Sequence, residues 1–503
     1  MRFDQLGLRN RRSVPWSAVP LEPIASFRET VIAAVADGWR PAAFFGMPET
    51  GSETRLVAIL AHDERGELGA TSARVADGFP SLTPECPQVH LFEREIAEQC
   101  GVTPEGHPWL KPVRRHPPDH MVADRRAAPA DREAYPFFRA QGAELHEVAV
   151  GPVHAGVIEP GHFRFQAHGE EVLFLEIVLG YQHRGVERLL ESRERTGALL
   201  VAESIAGDTV IGHAEAYCGA LEALARSRKS PRGQAIRGCA LELERIANHL
   251  GDLGALAGDV AFAPGAAIFG RLRGEALNLL MTLSGNRFGR GLIRPGGVGF
   301  DVPPEMAAEA RARLGALRAE FLRAADMLFD NGSVQGRFEG TGILPLRNCV
   351  ELGCVGPAAR ACGMARDVRL DHPWGLFRFA HIPVATAPSG DVAARAMVRR
   401  LEVERSLEFL IEQLGALPRG ATRAEAETLL VPDELAVAMV EGWRGEIVHV
   451  AVSDSRGGVR RWKVKDPSFH NWSALAVALP GNAISDFPLC NKSFNLSYAG
   501  HDL

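Results

Sequence analysis

The chain has 503 residues, of which 46% are hydrophobic and 23% are charged, and its formal net charge is -6. A chain of this length exceeds one typical domain, so we expect at least two folding units. Acidic and basic residues are mixed along it, which disfavours nucleic acid as a partner. No apolar run reaches the length of about 18 residues that a membrane span needs, and the N-terminus lacks the apolar core of a signal peptide. We therefore expect a cytoplasmic protein, while docking onto a membrane partner stays open.

The number and spacing of the cysteines further limit the possible class of protein. Eight cysteines in 503 residues are too few for a disulfide framework and fit a reducing compartment. No pair has Cys-x-x-Cys spacing, and the nearest pair, Cys349 and Cys354, is predicted to lie in a strand and turn. We interpret the cysteines as small buried core residues, with a metal or cluster role as the alternative. The eight are Cys86, Cys100, Cys218, Cys239, Cys349, Cys354, Cys362 and Cys490.

The first predicted unit covers residues 1–115 and is a small α+β domain. Apolar residues recur at helical spacing from Ile24 to Asp37, and the stretch from Arg55 to Ala61 is typical of a strand. The following stretch is rich in Pro, Arg, Ala and Asp and has no sustained apolar period, which predicts a solvated linker. We place this linker at residues 116–143.

The second predicted unit, residues 144–503, is mainly helical with a strand-rich entrance. Residues 148–181 indicate strands joined by Gly and Pro turns, and helical periodicity dominates from Val186 to about Leu256. Two further helices are predicted at Pro304–Asn331 and Val392–Leu414. The tail from Gly445 is predicted to return to strands and turns.

The segment FPSLTPECPQVHLFEREIAEQCGVTPEGHPWL, from Phe79 to Leu110, resembles the signature of the complex I C subunit. In that family an aromatic residue before Glu-Arg-Glu is followed by Gly-Ile and Gly-His-Pro. The segment is structural there, so the resemblance implies a scaffold role, with a catalytic role of Glu93 or His107 as the alternative. The matching residues are Phe92, Glu93, Arg94, Glu95, Gly101, Gly106, His107 and Pro108.

From Gly151 onward the chain resembles the complex I D subunit and, more closely, the large subunit of membrane-bound nickel–iron hydrogenases of the formate hydrogenlyase type. The resemblance covers both halves of the chain, so it implies the fused C–D arrangement: an α+β domain followed by a large, mostly helical one. Its pieces are GPVH with EPGHFRF (151–165), GYQHRGVERL (180–189), LELERIANHL (241–250), IRPGGV (293–298) and GCVGPAARACGMARDVR (353–369).

The metal positions depart from the hydrogenase pattern. Hydrogenases of this family hold nickel and iron with four cysteines, and soft thiolates suit that role. The resemblance places Ala206 and Thr209 at the first cysteine pair and Ser497 and Gly500 at the second. Because Ala and Gly have no donor and hydroxyls are hard, weak ligands, we expect no metal and no cofactor bound by this chain.

Quinone chemistry of the complex I kind is also altered. That family uses two histidines in a His-Pro-x-x-His-Gly loop and a tyrosine. Only the first histidine has a match, His154, and Gly207 stands at the tyrosine position. Glycine cannot donate the hydrogen bond that a quinone carbonyl accepts from a phenol. Quinone binding remains an alternative.

Ionisable residues are present near the positions of the metal ligands and of the quinone-site residues. Glu159 matches the glutamate that relays protons in hydrogenases, and His162 follows it in EPGH. A buried carboxylate among histidines suits proton transfer. The alternative is that Glu159 and His162 cap a turn and pair with Arg164 or Arg184. The other candidate cavity residues are Asp208, His213, His501 and Asp502.

Three functions remain open. The first is a subunit that couples electron transfer to ion translocation; the second is a structural subunit with an inactive cavity; the third is a quinone-reducing complex I-type subunit. The resemblance implies an iron–sulfur small subunit, a ferredoxin-like subunit, and membrane antiporter-like and anchor subunits as partners. It implies a location on the inner face of the membrane. The chain has no Gly-rich nucleotide loop after a strand, so any NAD would bind another subunit.

Overall fold

The computed structural model describes residues 6–49, 53–114, 135–142, 144–154, 158–192, 195–425 and 429–503. Of the predicted linker at 116–143, only residues 135–142 lie in this part of the chain, and they form no helix or strand. The rest of the predicted linker lies outside the described residues.

The N-terminal region forms a four-stranded sheet with the strand order β2-β5-β4-β3, on which two helices pack. Its elements are β1 (Ser13–Pro15), β2 (Leu21–Glu22), α1 (Ile24–Ala36), β3 (Arg40–Pro48), β4 (Thr54–His62), β5 (Glu67–Val75), β6 (Gly78–Pro80), α2 (His90–Cys100) and β7 (Thr103–Glu105). The predicted helix at 24–37 and the predicted strand at 55–61 are confirmed as α1 and β4.

Strand β4 is buried on both faces, and its two faces join different cores. Leu56, Ala58 and Leu60 pack with the apolar residues of α1 and α2. The alternate residues Val57 and Ile59 belong to the main core of the chain. Because successive strand residues point to opposite faces, this uninterrupted apolar run connects the N-terminal sheet to the rest of the protein.

The second region begins with an antiparallel sheet of order β10-β9-β8 and continues into helices, which confirms the strand-rich entrance and the helical run after Val186. Its elements up to residue 415 are β8 (Leu145–Val150), β9 (His162–His168), β10 (Glu171–Val178), α3 (Val186–Ser192), α4 (Arg195–Ala202), α5 (Val210–Leu224), α6 (Pro231–Asp259), α7 (Ala263–Ser284), β11 (Ile293–Arg294), β12 (Gly297–Val298), α8 (Pro304–Phe329), α9 (Gly332–Phe338), α10 (Leu346–Glu351), α11 (Gly356–Arg360), α12 (Val368–Asp371) and α13 (Val392–Gly415).

A second buried sheet lies between the helices and the N-terminal region. It has the order β1-β13-β14-β15, so the first strand of the chain pairs antiparallel with β13. Helix α5 packs across β13 and β14. The remaining elements are β13 (Glu434–Gly442), β14 (Gly445–Ser453), β15 (Val459–Lys465), α14 (Ser468–Ala478), α15 (Phe487–Phe494) and α16 (Tyr498–Asp502).

Two sequence-based expectations were wrong. Cys349 lies in helix α10, not in a strand, although it is buried as expected. The tail after β15 is helical, with α14, α15 and α16 in place of strands and turns. Short apolar runs are too short for helical and strand periodicity to be distinguished. Tertiary packing therefore determines which element they form.

Buried ion pairs hold the N-terminal region to the second sheet. Arg40 on β3 lies 2.5 Å from Glu446 on β14, and 2.8 Å from Asp63. Glu95 of the Glu-Arg-Glu motif lies 2.5 Å from Lys463 on β15. Glu93 of the same motif accepts hydrogen bonds from the Ser81 hydroxyl at 2.5 Å and the Leu82 amide at 2.7 Å, which fixes the preceding loop. These contacts support the predicted scaffold role of the motif.

Candidate functional site

The two segments that carry the former metal-ligand positions lie side by side. One is the 204–209 segment before α5, and the other is the C-terminal tail that ends in α16. Arg184 connects them: its guanidinium donates to the carbonyl oxygens of Ser204 and Ile205 at 2.7 and 2.8 Å and to that of Ala499 at 3.4 Å. The family-like segment at 180–189 therefore supplies a direct link between the two halves of the site.

A second arginine makes a parallel link. Arg444, in the turn between β13 and β14, binds Asp208 through both terminal nitrogens, at 2.5 and 2.8 Å. Its Nε donates to the Asn495 carbonyl at 2.6 Å, just before the tail helix. Burial opposes ionisation of Asp208, but the Arg444 cation holds the pKa of Asp208 below its usual value. Two guanidinium groups thus join segments that four thiolates and a metal pair join in a hydrogenase.

The remaining oxygen donors at the former ligand positions are already used within the protein. The Thr209 hydroxyl accepts hydrogen bonds from Trp443 Nε1 at 3.1 Å and from Arg444 at 3.2 Å. The Ser497 hydroxyl accepts the Gly500 amide at 2.9 Å and caps α16. Ala206 is buried and has no donor. The residues present therefore do not fit a nickel–iron centre.

A cysteine at position 500 would also be crowded. A Cβ atom added there would lie 2.6 Å from Cγ and from Oδ2 of Asp466, closer than real Cβ contacts. Asp466 follows β15, is 1% exposed, and bonds to His213 Nε2 at 3.0 Å. The carboxylate of Asp466 therefore occupies space that a fourth thiolate ligand would need.

Replacing Gly500 with Cys is expected to lower the free energy of unfolding by about 1–3 kcal/mol, because the added Cβ overpacks against Asp466. Gly207→Cys is the matched control: no heavy atom lies within 4 Å of its Cβ position, and neither glycine has a positive φ. Urea unfolding of both variants measures the difference. Equal stability of the two variants would contradict the proposed overlap with Asp466.

Asp466 ends a buried chain of hydrogen bonds whose direction is fixed by chemistry. Trp462 Nε1 bonds to His449 Nδ1 at 3.2 Å, and because indole can only donate, that Nδ1 is the acceptor. Burial holds the pKa of His449 well below its usual value, so the ring is neutral and its Nε2 donates to His213 Nδ1 at 3.2 Å. His213 then donates from Nε2 to Asp466. His213 thus orients a carboxylate beneath the tail.

Glu159 lies at the edge of the same site. It is half-buried and accepts the Tyr498 amide at 3.3 Å, at the start of α16. Burial raises the pKa of Glu159, and the nearby Arg444 cation opposes part of that effect. No ion pair within 4.0 Å joins Glu159 to any of the described residues, although Arg184 and Arg444 act on it through their fields. The predicted turn-capping interaction exists, and a role of Glu159 in proton relay stays a prediction.

His162, the predicted partner of Glu159, contacts other residues. His162 begins β9, and its Nδ1 lies 3.2 Å from the Gly151 carbonyl oxygen. Its Nε2 faces Arg164 at 3.4 Å, as the alternative interpretation expected, and its ring packs against Phe137. A relay from Glu159 through His162 stays a prediction.

His154 and Gly207, the two positions that the resemblance assigns to a quinone site, have different surroundings. His154 lies near the Tyr498 ring, at 6.4 Å between centroids, and its buried Nε2 has no hydrogen-bond partner among the described residues. Burial lowers the pKa of His154. Gly207 is exposed, with open space in front of it.

The last residues of the chain hold the C-terminal tail in place. Asp502 accepts the amides of Gly180 and Gln182 at 2.7 and 2.9 Å, and His501 Nδ1 lies 3.0 Å from its carboxylate. Burial opposes the charge of Asp502, but hydrogen bonding with His501 holds its pKa below the usual value. Asp502 is therefore a structural anion that fixes the tail, not a free acid.

Sequence reasoning missed the site roles of Arg444 and Asp466, which lie outside the quoted motifs, and that of Glu244, which lies within LELERIANHL. Glu244 accepts the amides of Ile211 and Gly212 at 2.7 and 3.1 Å, at the start of α5. Burial raises the pKa of Glu244 to about 8. A helix N-terminus two residues after Asp208 was the available signal for such a carboxylate.

The other charged motif residues form a buried structural network. Arg245 lies 3.1 Å from Glu242 and 3.4 Å from Glu402, and His249 Nε2 lies 2.7 Å from Glu402. Arg360, from the GPAAR segment, lies 2.8 Å from the same Glu402. Arg245 and His249 on α6 thus bond to Glu402 on α13, whereas Arg184 and Glu244 bind backbone groups.

The cysteines do not form an alternative metal site. All eight are buried and free. Within the described ranges, no group of three or more His, Cys, Asp or Glu side chains is arranged to hold a metal ion. Burial raises the pKa of Cys218, the cysteine nearest in sequence to the first former pair, and of Cys490, which precedes the second. They are packed thiols of the core.

Comparison with known proteins supports the two-part organisation. Residues 43–130 match the family described as the 30 kDa subunit of respiratory-chain NADH dehydrogenase, and residues 259–437 and 423–502 match that of the 49 kDa subunit. Formate hydrogenlyase subunit 5 of Escherichia coli K12 is 31% identical over 440 residues, which is 84% of this chain and 77% of that protein.

Further relatives extend the similarity to other complexes. Membrane-bound hydrogenase subunit alpha of Pyrococcus furiosus is 28% identical, over 69% of this chain and 85% of that protein. The D subunit of the NADH-quinone oxidoreductase of Clostridium beijerinckii is 29% identical, over 67% of this chain and 91% of that protein. A chain of the membrane-bound sulfane sulfur reductase, an archaeal respiratory membrane complex, superposes with a TM-score of 0.67 at 26% identity, covering 72% of this chain and 99% of that one.

These matches confirm the predicted fusion of C-like and D-like regions. The chain belongs to the family that complex I NADH dehydrogenase subunits share with membrane-bound hydrogenase subunits, and it carries the 30 kDa-like and 49 kDa-like regions in one polypeptide.

Proposed function

We propose that this chain is the proton-handling subunit of a membrane-associated oxidoreductase complex and works without a nickel–iron centre. The observation that carries the proposal is Glu159: a half-buried carboxyl with a raised pKa, beside the Asp208–Arg444 pair, in a site whose thiolate positions are Ala206, Thr209, Ser497 and Gly500. Such a group keeps its proton to a higher pH than an exposed glutamate does and exchanges it with a neighbouring donor or acceptor.

The partners follow from the relatives. The names of the hydrogenase and sulfane sulfur reductase relatives place those proteins in membrane-bound complexes. In the part of the chain that the structure describes, no helix is long and apolar enough to cross a membrane. We infer peripheral attachment at the inner membrane face through anchor and antiporter-like subunits. An iron–sulfur small subunit and a ferredoxin-like subunit would deliver electrons, and this chain itself would hold no redox cofactor.

The purified complex is expected to contain iron in its iron–sulfur partner but no stoichiometric nickel, because none of the four former ligand positions offers a thiolate. Elemental analysis measures both metals, and a membrane-bound hydrogenase relative purified in the same way is the positive control. About one nickel per chain would overturn the proposal.

Quinone reduction is the second candidate. It is favoured by the unpartnered Nε2 of His154, a ring nitrogen that can donate to a quinone carbonyl when it carries the proton, and by the open space before Gly207. A structural subunit with an inactive cavity is the third candidate, favoured by the two arginine links between the 204–209 segment and the C-terminal tail. Activity of the Glu159 variant described below separates this last candidate from the other two.

A further inference from the structure

A cavity of about 340 Å³ lies beside the C-terminal tail. Its walls come from α2 of the N-terminal region, the 109–113 segment, β10, α14 and the tail helix α16. A volume of this size is within the range of small-molecule sites. The cavity thus adjoins the tail without including any former metal-ligand position.

The lining is mainly aromatic and apolar. Four aromatic side chains contribute to it, together with Leu and Val residues: Trp109, Tyr135, Phe174 and Trp472. Trp109 and Phe174 already pack edge to face, with 6.4 Å between ring centroids. Trp472 donates from Nε1 to the Ser497 carbonyl at 3.3 Å, so one aromatic wall is fixed to the tail. Such walls favour a flat aromatic ligand.

The charged groups of the lining are already satisfied. Arg94 donates to the carbonyl oxygens of Lys111 and Pro112 at 2.6 and 2.9 Å. Glu176 accepts from Lys111 Nζ at 2.6 Å and from the Phe138 amide at 2.8 Å. The fields of Glu98 and Glu176 act on the Arg94 cation, and Lys111 pairs with Glu176, so the charges of Arg94, Lys111, Glu98 and Glu176 balance. A charged ligand would therefore lose its hydration without a net counter-charge to replace it. The ligand is therefore neutral.

His501 offers a polar atom for recognition. His501 lines the cavity, and its Nδ1 bonds to the Asp502 carboxylate at 3.0 Å. Because a carboxylate only accepts, Nδ1 carries the proton, and Nε2 of the neutral ring is an acceptor. None of the described residues donates a hydrogen bond to that Nε2. A ligand hydroxyl would satisfy it.

We propose that this cavity binds a small, neutral, planar aromatic alcohol of the phenol class, whose hydroxyl donates to His501 Nε2. Because His501 and Gly500 share helix α16, the bound ligand also restrains the helix that lies against Asp466. The proposal does not depend on the proton-handling function.

The test uses the full chain within its complex and isothermal titration with two probes. 2-Naphthol is expected to bind at least about tenfold more tightly than 2-methoxynaphthalene, which keeps the rings but cannot donate the hydrogen bond. His501→Leu is expected to reduce this preference to about one. Equal affinity of the two probes for the natural protein, or no binding of either, would overturn the proposal.

A second variant locates the binding and guards against misfolding of the His501 variant. Ala476→Phe on α14 places a ring inside the cavity and is expected to abolish 2-naphthol binding. Ala308→Phe, at an exposed position on α8, is the control and should leave the affinity unchanged. Unchanged binding to the Ala476 variant would show that the probe binds elsewhere and would overturn the assignment.

Discussion

Glu159→Gln is expected to reduce proton-coupled turnover of the assembled complex by about 100-fold or more, with the yield of complex unchanged. The amide keeps the shape of the side chain and can still accept the Tyr498 amide, but it carries no exchangeable acid. Burial keeps the pKa of the natural carboxyl above its usual value, so the proton that it carries is available at higher pH than for an exposed glutamate. Turnover and complex yield are measured on the same preparation.

Glu144→Gln is the matched control for this variant. Glu144 also precedes a strand of the β8–β10 sheet region, but its side chain is 83% exposed and forms an ion pair with His168. Its replacement should leave turnover unchanged. Normal turnover of the Glu159 variant would remove Glu159 from the mechanism and favour the structural role, whereas loss of assembly would assign Glu159 to capping α16.

The sequence predicted local structure well where apolar periods were long. Helices α1, α8 and α13 begin at the predicted residues, because each has several turns of amphipathic pattern. Strand β13, which is buried on both faces, was not predicted. A short apolar run that is covered on both sides has no alternation to distinguish it from a buried helix.

The candidate site was predictable only in part. The family resemblance placed Ala206, Thr209, Ser497 and Gly500, and the structure brings both segments together. The role of Arg444 was not predictable, because its partner Asp208 is 236 positions away in the chain. The same holds for Asp466, which is 253 positions from His213. A contact between residues so distant leaves no periodic or spacing signal in one sequence.

Arg40 forms a buried link between the two regions. It bonds to Glu446 at 2.5 Å and to Asp63 at 2.8 Å, and all but 7% of its side chain is buried. Burial opposes the Glu446 charge, yet the Arg40 cation lowers the pKa of Glu446 to about 2. The pKa of Asp63 is also held well below its usual value despite burial, chiefly by Arg40. Both carboxylates are therefore charged at neutral pH and depend on this guanidinium.

Arg40→Met is expected to lower the free energy of unfolding by about 3–5 kcal/mol at pH 7, because it leaves buried carboxylates without their main counter-charge. We expect the lower end of this range, because each carboxylate keeps another cation: Lys465 lies 2.6 Å from Glu446, and Arg366 lies 2.7 Å from Asp63. Arg74→Met, which removes an ion pair whose arginine is 48% exposed, is the control and should cost at most about 1 kcal/mol.

The pH dependence of the free energy of unfolding provides a second test of the role of Arg40. A carboxyl whose folded pKa is lowered adds stability above its unfolded pKa of about 4.3, and this contribution is lost as pH falls through the folded pKa. The natural protein should therefore lose the Glu446 contribution between about pH 4.3 and the folded pKa of about 2. In Arg40→Met the folded pKa of Glu446 rises, so urea unfolding curves should show a shallower decline over that range. An Arg40 variant as stable as the Arg74 variant, with an unchanged acid profile, would show that the two regions are held together by the apolar contacts of β4 and not by this ion pair.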